Sequence, residues 1–345
     1  MVCETTVQSR TYALKDIRNR ITIYGRTAEV DGGLFFDHTA AGIEFTAYVE
    51  GDVTLSIKQT GCSDSVSYYT VWVDGVRQDN QLKSANHEFE HCVVASFSNG
   101  GVHTIRILKA SEMGVSQSIF KDLSLTGDLM DIAEKRDLHI EFLGDSITSG
   151  YGNMMYTEGV GDPSANPVCA VNSDGTRAWA FLAAEKLNTR STIISDSGIG
   201  VIYEHGLVPG RRMFNFWRYL SFARQELGSF KPTDLPDLMV INLGTNDRMN
   251  KTDPEAMVAG TKELIALVRN TYQKEIPIVW ASGMMSGALE EQTRQALKEL
   301  GGESANLYYL DLIIVDAAGG GHPGPEGHKQ NADILVHFLK SKRLV

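Results

Sequence analysis

The chain has 345 residues, 42% of them hydrophobic and 22% charged, with a net charge of −11. This is the composition of a soluble globular protein with more chain than one core usually supports, so two domains are the default. The acidic balance, without any block of Lys or Arg, disfavours nucleic acid and anionic membranes as partners, and no apolar run reaches membrane-spanning length.

Four cysteines, Cys3, Cys62, Cys92 and Cys169, are scattered without a C-x-x-C pair. That argues against a zinc site and against a disulfide scaffold, and leaves a single Cys62–Cys92 bridge open. The first ten residues lack the apolar stretch of a signal peptide. The chain as given therefore reads as cytoplasmic, or as secreted if it is a mature form. No metal or organic cofactor is implied.

Residues 20–128 read as all-β. Short alternating runs recur at 20–24, 42–49, 53–58, 67–73, 89–96 and 103–109, separated by the turn signals Asp31-Gly-Gly, Glu50-Gly-Asp, Asp74-Gly75 and Asn99-Gly-Gly. Tyr68-Tyr-Thr-Val-Trp-Val-Asp-Gly-Val-Arg predicts a hairpin. The spacing predicts a β-sandwich, of jelly-roll type, over residues 1–130. Trp72 belongs to its core or to a domain interface. Glu44 and Thr46 alternate with Ile43, Phe45 and Ala47 and read as a solvent-facing strand side.

The character changes across the polar connector 128–137. Bounded apolar runs at 138–143, 191–195, 238–243, 276–281 and 306–311 read as buried parallel strands. Helical stretches at 177–188, 213–228, 254–272, 289–300 and 326–340 lie between and after them. Within 254–272, Met257, Leu264, Ile265 and Val268 trace one face, Pro254 sits in the first turn, and Thr252 or Asp253 can cap it. This alternation predicts a doubly wound parallel sheet over residues 137–345.

Functional-looking residues follow several strands. Gly144-Asp-Ser-Ile-Thr148 ends the first; Ile194-Ser-Asp-Ser-Gly-Ile-Gly200 and Ile241-Asn-Leu-Gly-Thr-Asn-Asp247 end two others; Gly319-Gly-Gly-His-Pro-Gly-Pro-Glu-Gly-His328 precedes the last helix. In open α/β sheets ligands bind at that edge. Alone, Ser146 would pass as a helix cap and Asn246 as a turn residue. Together they resemble the blocks of an SGNH (GDSL-type) hydrolase. The resemblance implies a flavodoxin-like domain with a five-stranded sheet, Ser146 as nucleophile and His322 as base. It also implies an oxyanion hole made by the Ser146 N–H, the Gly200 N–H (Gly198 in another register) and the Asn246 amide. A hydroxyl nucleophile, a base and oxyanion donors are what ester cleavage requires.

One departure stands out. The family usually carries an Asp two or three residues before the histidine, where this chain has Gly320 and Gly319. Either a carbonyl of the glycine segment holds the imidazole, giving a Ser–His dyad, which is the favoured reading, or Asp316 or another acid reaches in. His328 is read as a capping or surface residue, Asp145 as ordering its loop, and Asp247 and Arg248 as structural. Aromatic and Met side chains near the blocks (Met154, Met155, Tyr156, Tyr203, His205, Met213, Phe214, Trp217) are mainly core candidates, with Tyr203 and Trp217 as the ones to stack on a sugar.

Gly-Asp-Ser-Ile-Thr-Ser-Gly-Tyr-Gly-Asn behind a β-rich domain is more narrowly similar to carbohydrate esterase family 2, the acetyl xylan esterases of polysaccharide degradation. That similarity implies O-deacetylation of xylan, mannan or related oligosaccharides, with a carbohydrate partner, no nucleic acid and no membrane, and it leaves a homo-oligomer open. Two rivals remain: a short-chain lipid ester, lysophospholipid or thioester hydrolase of the same fold, and an inactive carbohydrate-binding protein.

Overall fold

The computed structural model describes residues 8–60, 66–79, 81–132, 136–167, 169–204, 209–285 and 289–345. Cys3 and Cys62, and with Cys62 the bridge to Cys92, lie outside the described residues, as does His205.

Two long strands, Gly42–Thr60 and Glu90–Lys109, pair antiparallel and form the spine of a ten-stranded sheet that curls around an apolar core. Each replaces two of the shorter strands expected from the sequence. The Glu50-Gly-Asp signal is a bulge rather than a turn: the register shifts between Val49 and Gly51, and Gly51 takes φ +78°. Asp74 and Gly75, at φ +52° and +77°, make the expected tight hairpin between Ser67–Val73 and Val76–Arg77. The strand Gln117–Leu129, which pairs with both Gly42–Thr60 and Ser9–Ala13, has no counterpart in the sequence reading. A register shift between Phe120 and Leu123 breaks its alternation and hides its period of two.

The second half is the expected parallel sheet, in the spatial order Arg190–Ser195, His139–Gly144, Leu238–Asn242, Ile278–Ser282, Leu307–Asp311. In chain order this is 2-1-3-4-5, with the switch point beside His139–Gly144. All five runs read from the sequence are strands. The helix Pro254–Tyr272 has its expected bounds and is capped by Asp253, whose Oδ1 accepts from the Ala256 N–H at 3.0 Å. The helix expected over 213–228 covers only Met213–Arg218. The carbonyls of Trp217 and Tyr219 accept instead from the Arg26 guanidinium, at 2.5 and 2.9 Å, which takes them out of any helical ladder.

Arg26 is one of several side chains that join the halves. Its Nη2 lies 3.3 Å from Oε1 of Glu141, both side chains being almost fully buried. Glu141 also accepts from Trp217 Nε1 and Tyr272 Oη, each at 2.5 Å. Arg106, from the Glu90–Lys109 strand, makes a two-pronged bond to Glu185 on the helix Trp179–Lys186. Glu44 faces this network, 3.7 Å from Arg106 and 3.9 Å from Arg136, and Thr46 is buried against Thr104, so that strand side meets protein rather than solvent. Trp72 sits at the interface, under the Arg106 guanidinium and beside Phe181. Among the described residues, no helix is long and apolar enough to cross a membrane.

Removing one member of a buried ion pair leaves the other charge uncompensated. Arg26→Ala should therefore cost about 3–5 kcal/mol of stability, read as a shift in the urea midpoint at unchanged slope. A loss below about 1 kcal/mol, the range of exposed pairs, would mean that the pair is wet in solution.

Candidate active site

Ser146 begins a one-turn helix, Ser146–Ser149, directly after the strand His139–Gly144. The turn from strand to helix is sharp. A Cβ on Gly144 would lie 2.1 Å from Thr148 Oγ1, so only glycine fits. Asp145 caps the helix, its Oδ1 accepting from the Ile147 N–H at 3.0 Å, and Ser149 Oγ ties the helix to Ser195 Oγ on the next strand at 2.9 Å. As the first helical residue, Ser146 has an N–H with no intrahelical acceptor, and so a donor available to a ligand.

His322 reaches Ser146 from 176 residues away, with Nε2 2.7 Å from the serine Oγ. Its Nδ1 faces the Gly320 carbonyl at 3.3 Å. An Nδ1–H donated to that carbonyl leaves Nε2 as the acceptor of the serine proton. Gly320 takes φ +64° to present its carbonyl. Asp316 is elsewhere. Its Oδ1 accepts from the backbone N–H groups of Gly324 and Gly327, at 3.2 and 2.7 Å, at the start of the helix Pro325–Ser341. Burial lowers the His322 pKa below its ordinary value, against weaker support from the Gly320 and Gly319 carbonyls.

Asn246 lies on the short helix Thr245–Met249, after the neighbouring strand Leu238–Asn242. Its Nδ2 donates to Ile199 O at 3.0 Å and to Asp145 Oδ2 at 3.3 Å, which places the amide between the Gly144–Ser146 turn and the second block. Asp145 is fully buried, and that burial, with Asp247 nearby, pushes its pKa up to about 7. Asp247 accepts from the N–H groups of Val201, Ile202 and Tyr203 at 2.8–2.9 Å, and so holds the segment after Gly200. A Cβ on Gly200 would meet this carboxylate at 2.7 Å, while Gly198 is needed for its φ of +82°. The Gly200 N–H is turned toward Tyr203 O, a long 3.3 Å contact.

Other expectations change. Trp217 is 1% exposed and bonded to Glu141 in the core behind the sheet, so it has no face to offer a sugar. Tyr203 is partly exposed beside the second block. Of the two roles read for His328, capping holds and a surface place does not: it is fully buried, its Nδ1 accepts from the Trp179 N–H at the start of the helix Trp179–Lys186 at 3.2 Å, and burial pushes its pKa down to about 3. Tyr151, which the sequence reading passed over, packs its ring against His322 with centroids 4.4 Å apart. Its place in Ser149-Gly-Tyr-Gly, one residue past the left-handed Gly150 that ends the helix Ser146–Ser149, was the available signal. Among the described residues, no cluster of three or more His, Cys, Asp or Glu is placed to hold a metal ion.

A 2-1-3-4-5 parallel sheet with a serine–histidine pair at the edge beside its switch point defines the SGNH class of hydrolase folds. The comparisons agree: residues 142–330 match the GDSL-like Lipase/Acylhydrolase family, to which the chain belongs, and residues 23–132 match the carbohydrate esterase 2 N-terminal domain. The chain is 27% identical over 79% of its length to cellulase/esterase CelE of Acetivibrio thermocellus, and spans only 34% of that protein. It is 24% identical to an acetylxylan esterase / glucomannan deacetylase of Cellvibrio japonicus, over 70% of each chain. A solved family two carbohydrate esterase from Clostridium thermocellum, in complex with cellohexaose, superposes with a TM-score of 0.81 at 24% identity, covering 94% of this chain and 99% of that one.

Two outcomes follow from this geometry. Proton transfer from Ser146 needs neutral His322, whose pKa is lowered; on falling pH the imidazole charges only below its ordinary value. The acid limb of kcat/KM should thus lie below about pH 6.5, and a limb above pH 7 would call for an unseen carboxylate behind the ring. Asp316→Ala should remove a helix cap, costing about 1 kcal/mol in a melting experiment while kcat stays within about tenfold. A folded variant with kcat down by orders of magnitude would put the carboxylate in the reaction.

Proposed function

We propose that the protein is a serine esterase that removes O-acetyl groups from carbohydrate through an acetyl-enzyme, and that residues 1–130 and 137–345 are its two domains. The observation that carries the reading is the 2.7 Å contact between Ser146 Oγ and His322 Nε2, with Nδ1 facing a carbonyl. Ser146 Oγ attacks the acetyl carbonyl as His322 takes its proton. The tetrahedral oxyanion is held by the Ser146 N–H and by the Asn246 amide, which gives up its longer 3.3 Å bond to Asp145 Oδ2 to donate to it. The Gly200 N–H joins them on leaving its long contact to Tyr203. His322 then returns the proton to the departing sugar hydroxyl, and the same imidazole activates the water that releases acetate. An acetyl ester with an alkoxide leaving group places a modest demand on the base, which suits a histidine held by a neutral carbonyl. The oxyanion donors supply the larger share of the rate.

The substrate class rests on the relatives. One is an acetylxylan esterase / glucomannan deacetylase, and the solved structure of similar fold holds cellohexaose. Tyr203 and Tyr151 are the aromatic side chains proposed to border the sugar.

Acetate release from acetylated xylan, mannan and cello-oligosaccharides should be readily measured for the wild type and fall by at least about a thousandfold in Ser146→Ala. Equal turnover by the two proteins on p-nitrophenyl acetate would remove Ser146 from the mechanism. Preference for p-nitrophenyl octanoate over the acetyl ester would move the substrate from sugar to lipid.

A further inference from the structure

Glu112 belongs to the β-rich half, in the short connection between the strands Glu90–Lys109 and Gln117–Leu129. Its carboxylate nevertheless ends in the other half. It is 3% exposed, and its Oε2 accepts from both the backbone N–H and the hydroxyl of Ser197, at 2.9 and 2.8 Å. Lys109 fixes the connection from behind: fully buried, it donates Nζ to the carbonyls of Asp37, Ser111 and Glu112 itself, at 3.1, 2.5 and 3.1 Å.

Ser197 lies in the middle of the second sequence block, Ile194–Gly200. Two residues later, Ile199 offers the carbonyl that orients the Asn246 amide, and Gly200 follows it. The far end of the same segment hangs from Asp247 through the N–H groups of Val201, Ile202 and Tyr203. The segment 197–203 is therefore suspended between two buried carboxylates, one from each half of the molecule. Hydrogen bonds to an ionised acceptor are about twice as strong as neutral ones, and in a buried setting they fix a backbone position firmly.

We infer that Glu112 is a positioning residue for the reaction, and that through it the N-terminal domain completes the oxyanion site. The inference rests on the reading of Asn246 and Gly200 as oxyanion donors. Glu112 touches neither substrate nor nucleophile. It sets the segment that aims the donors, which act on the transition state more than on the bound ester. Its loss should therefore fall on kcat and spare KM.

The test uses the full chain and p-nitrophenyl acetate. Glu112→Ala should lower kcat by about 10- to 100-fold, below the loss of a donor itself, with KM within about threefold. Glu112→Gln keeps an oxygen for Ser197 and should recover most of that loss. Arg26→Ala, which weakens the domain contact without touching the segment, should melt earlier yet keep its kcat well below its melting temperature. Wild-type kcat in folded Glu112→Ala, a loss confined to KM, or a Glu112→Gln as impaired as the alanine variant would each overturn the inference. Should Glu112→Ala fail to fold, Ser197→Ala decides: a kcat at least about threefold down supports the inference, and an unchanged one overturns it. Ser146→Ala separates the two readings. If it is dead while Glu112→Ala is fully active, only this inference fails; if it keeps turnover, the catalytic reading fails with it.

Discussion

A carboxylate in the middle of a buried strand has to be matched by donors, and Glu141 is such a carboxylate. It lies in the strand His139–Gly144, five residues before Ser146, and is 1% exposed. An isolated charge there would cost several kcal/mol. Arg26, Trp217 and Tyr272 meet it, and they come from three separate parts of the chain. Arg26 lies in the β-rich half, so the N-terminal sheet is held against the strand His139–Gly144. Trp217 and Tyr272 bring their helices to the same face. The guanidinium also takes the carbonyls of Trp217 and Tyr219, which ends the helix Met213–Arg218 where it does. The second-half fold and the packing of the two halves are thus both anchored at one strand, whose far end leads into Ser146.

At that end the chemistry is spare. The strand order places the Gly144 turn, the second block and Thr245–Met249 side by side, so residues 47 and 101 apart in sequence become hydrogen-bonded neighbours. His322 comes in from the glycine segment Gly319–Gly321 and is backed by a carbonyl rather than an acid. Such a carbonyl fixes the tautomer but adds no charge, and burial accordingly lowers the imidazole pKa without a carboxylate to lift it. Asp316, the acid nearest in sequence, is occupied at a helix start.

The β-rich half is more than an appended module in this architecture. It supplies Arg26 to the strand His139–Gly144, Arg106 to the helix Trp179–Lys186, Arg77 to Asp174, and Glu112 to the second block. Its residues 23–132 match the carbohydrate esterase 2 N-terminal domain, and the superposition of 94% of this chain on one solved structure shows both halves together elsewhere. The contacts give a physical reason for the pairing.

What the sequence determined alone is what local pattern carries. The five apolar runs, the cap and proline of Pro254–Tyr272, and the Gly-Asp-Ser and Gly-Thr-Asn-Asp blocks were legible because period, turn chemistry and motif spacing lie within a few residues of one another. The missing acid before His322 was legible for the same reason, since Gly319 and Gly320 are simply read. Where bulges interrupt the alternation, as in Gln117–Leu129 and at Gly51, the pattern misled, because a one-residue shift exchanges the faces of a strand. Only the tertiary structure decided that Gly320 and not Asp316 stands behind His322, that Trp217 is core, that His328 caps a helix 149 residues away, and that Glu112 crosses to Ser197. Each of these depends on which distant groups a buried polar atom finds as partners. That choice is made by the packing of the whole chain, and no local periodicity records it.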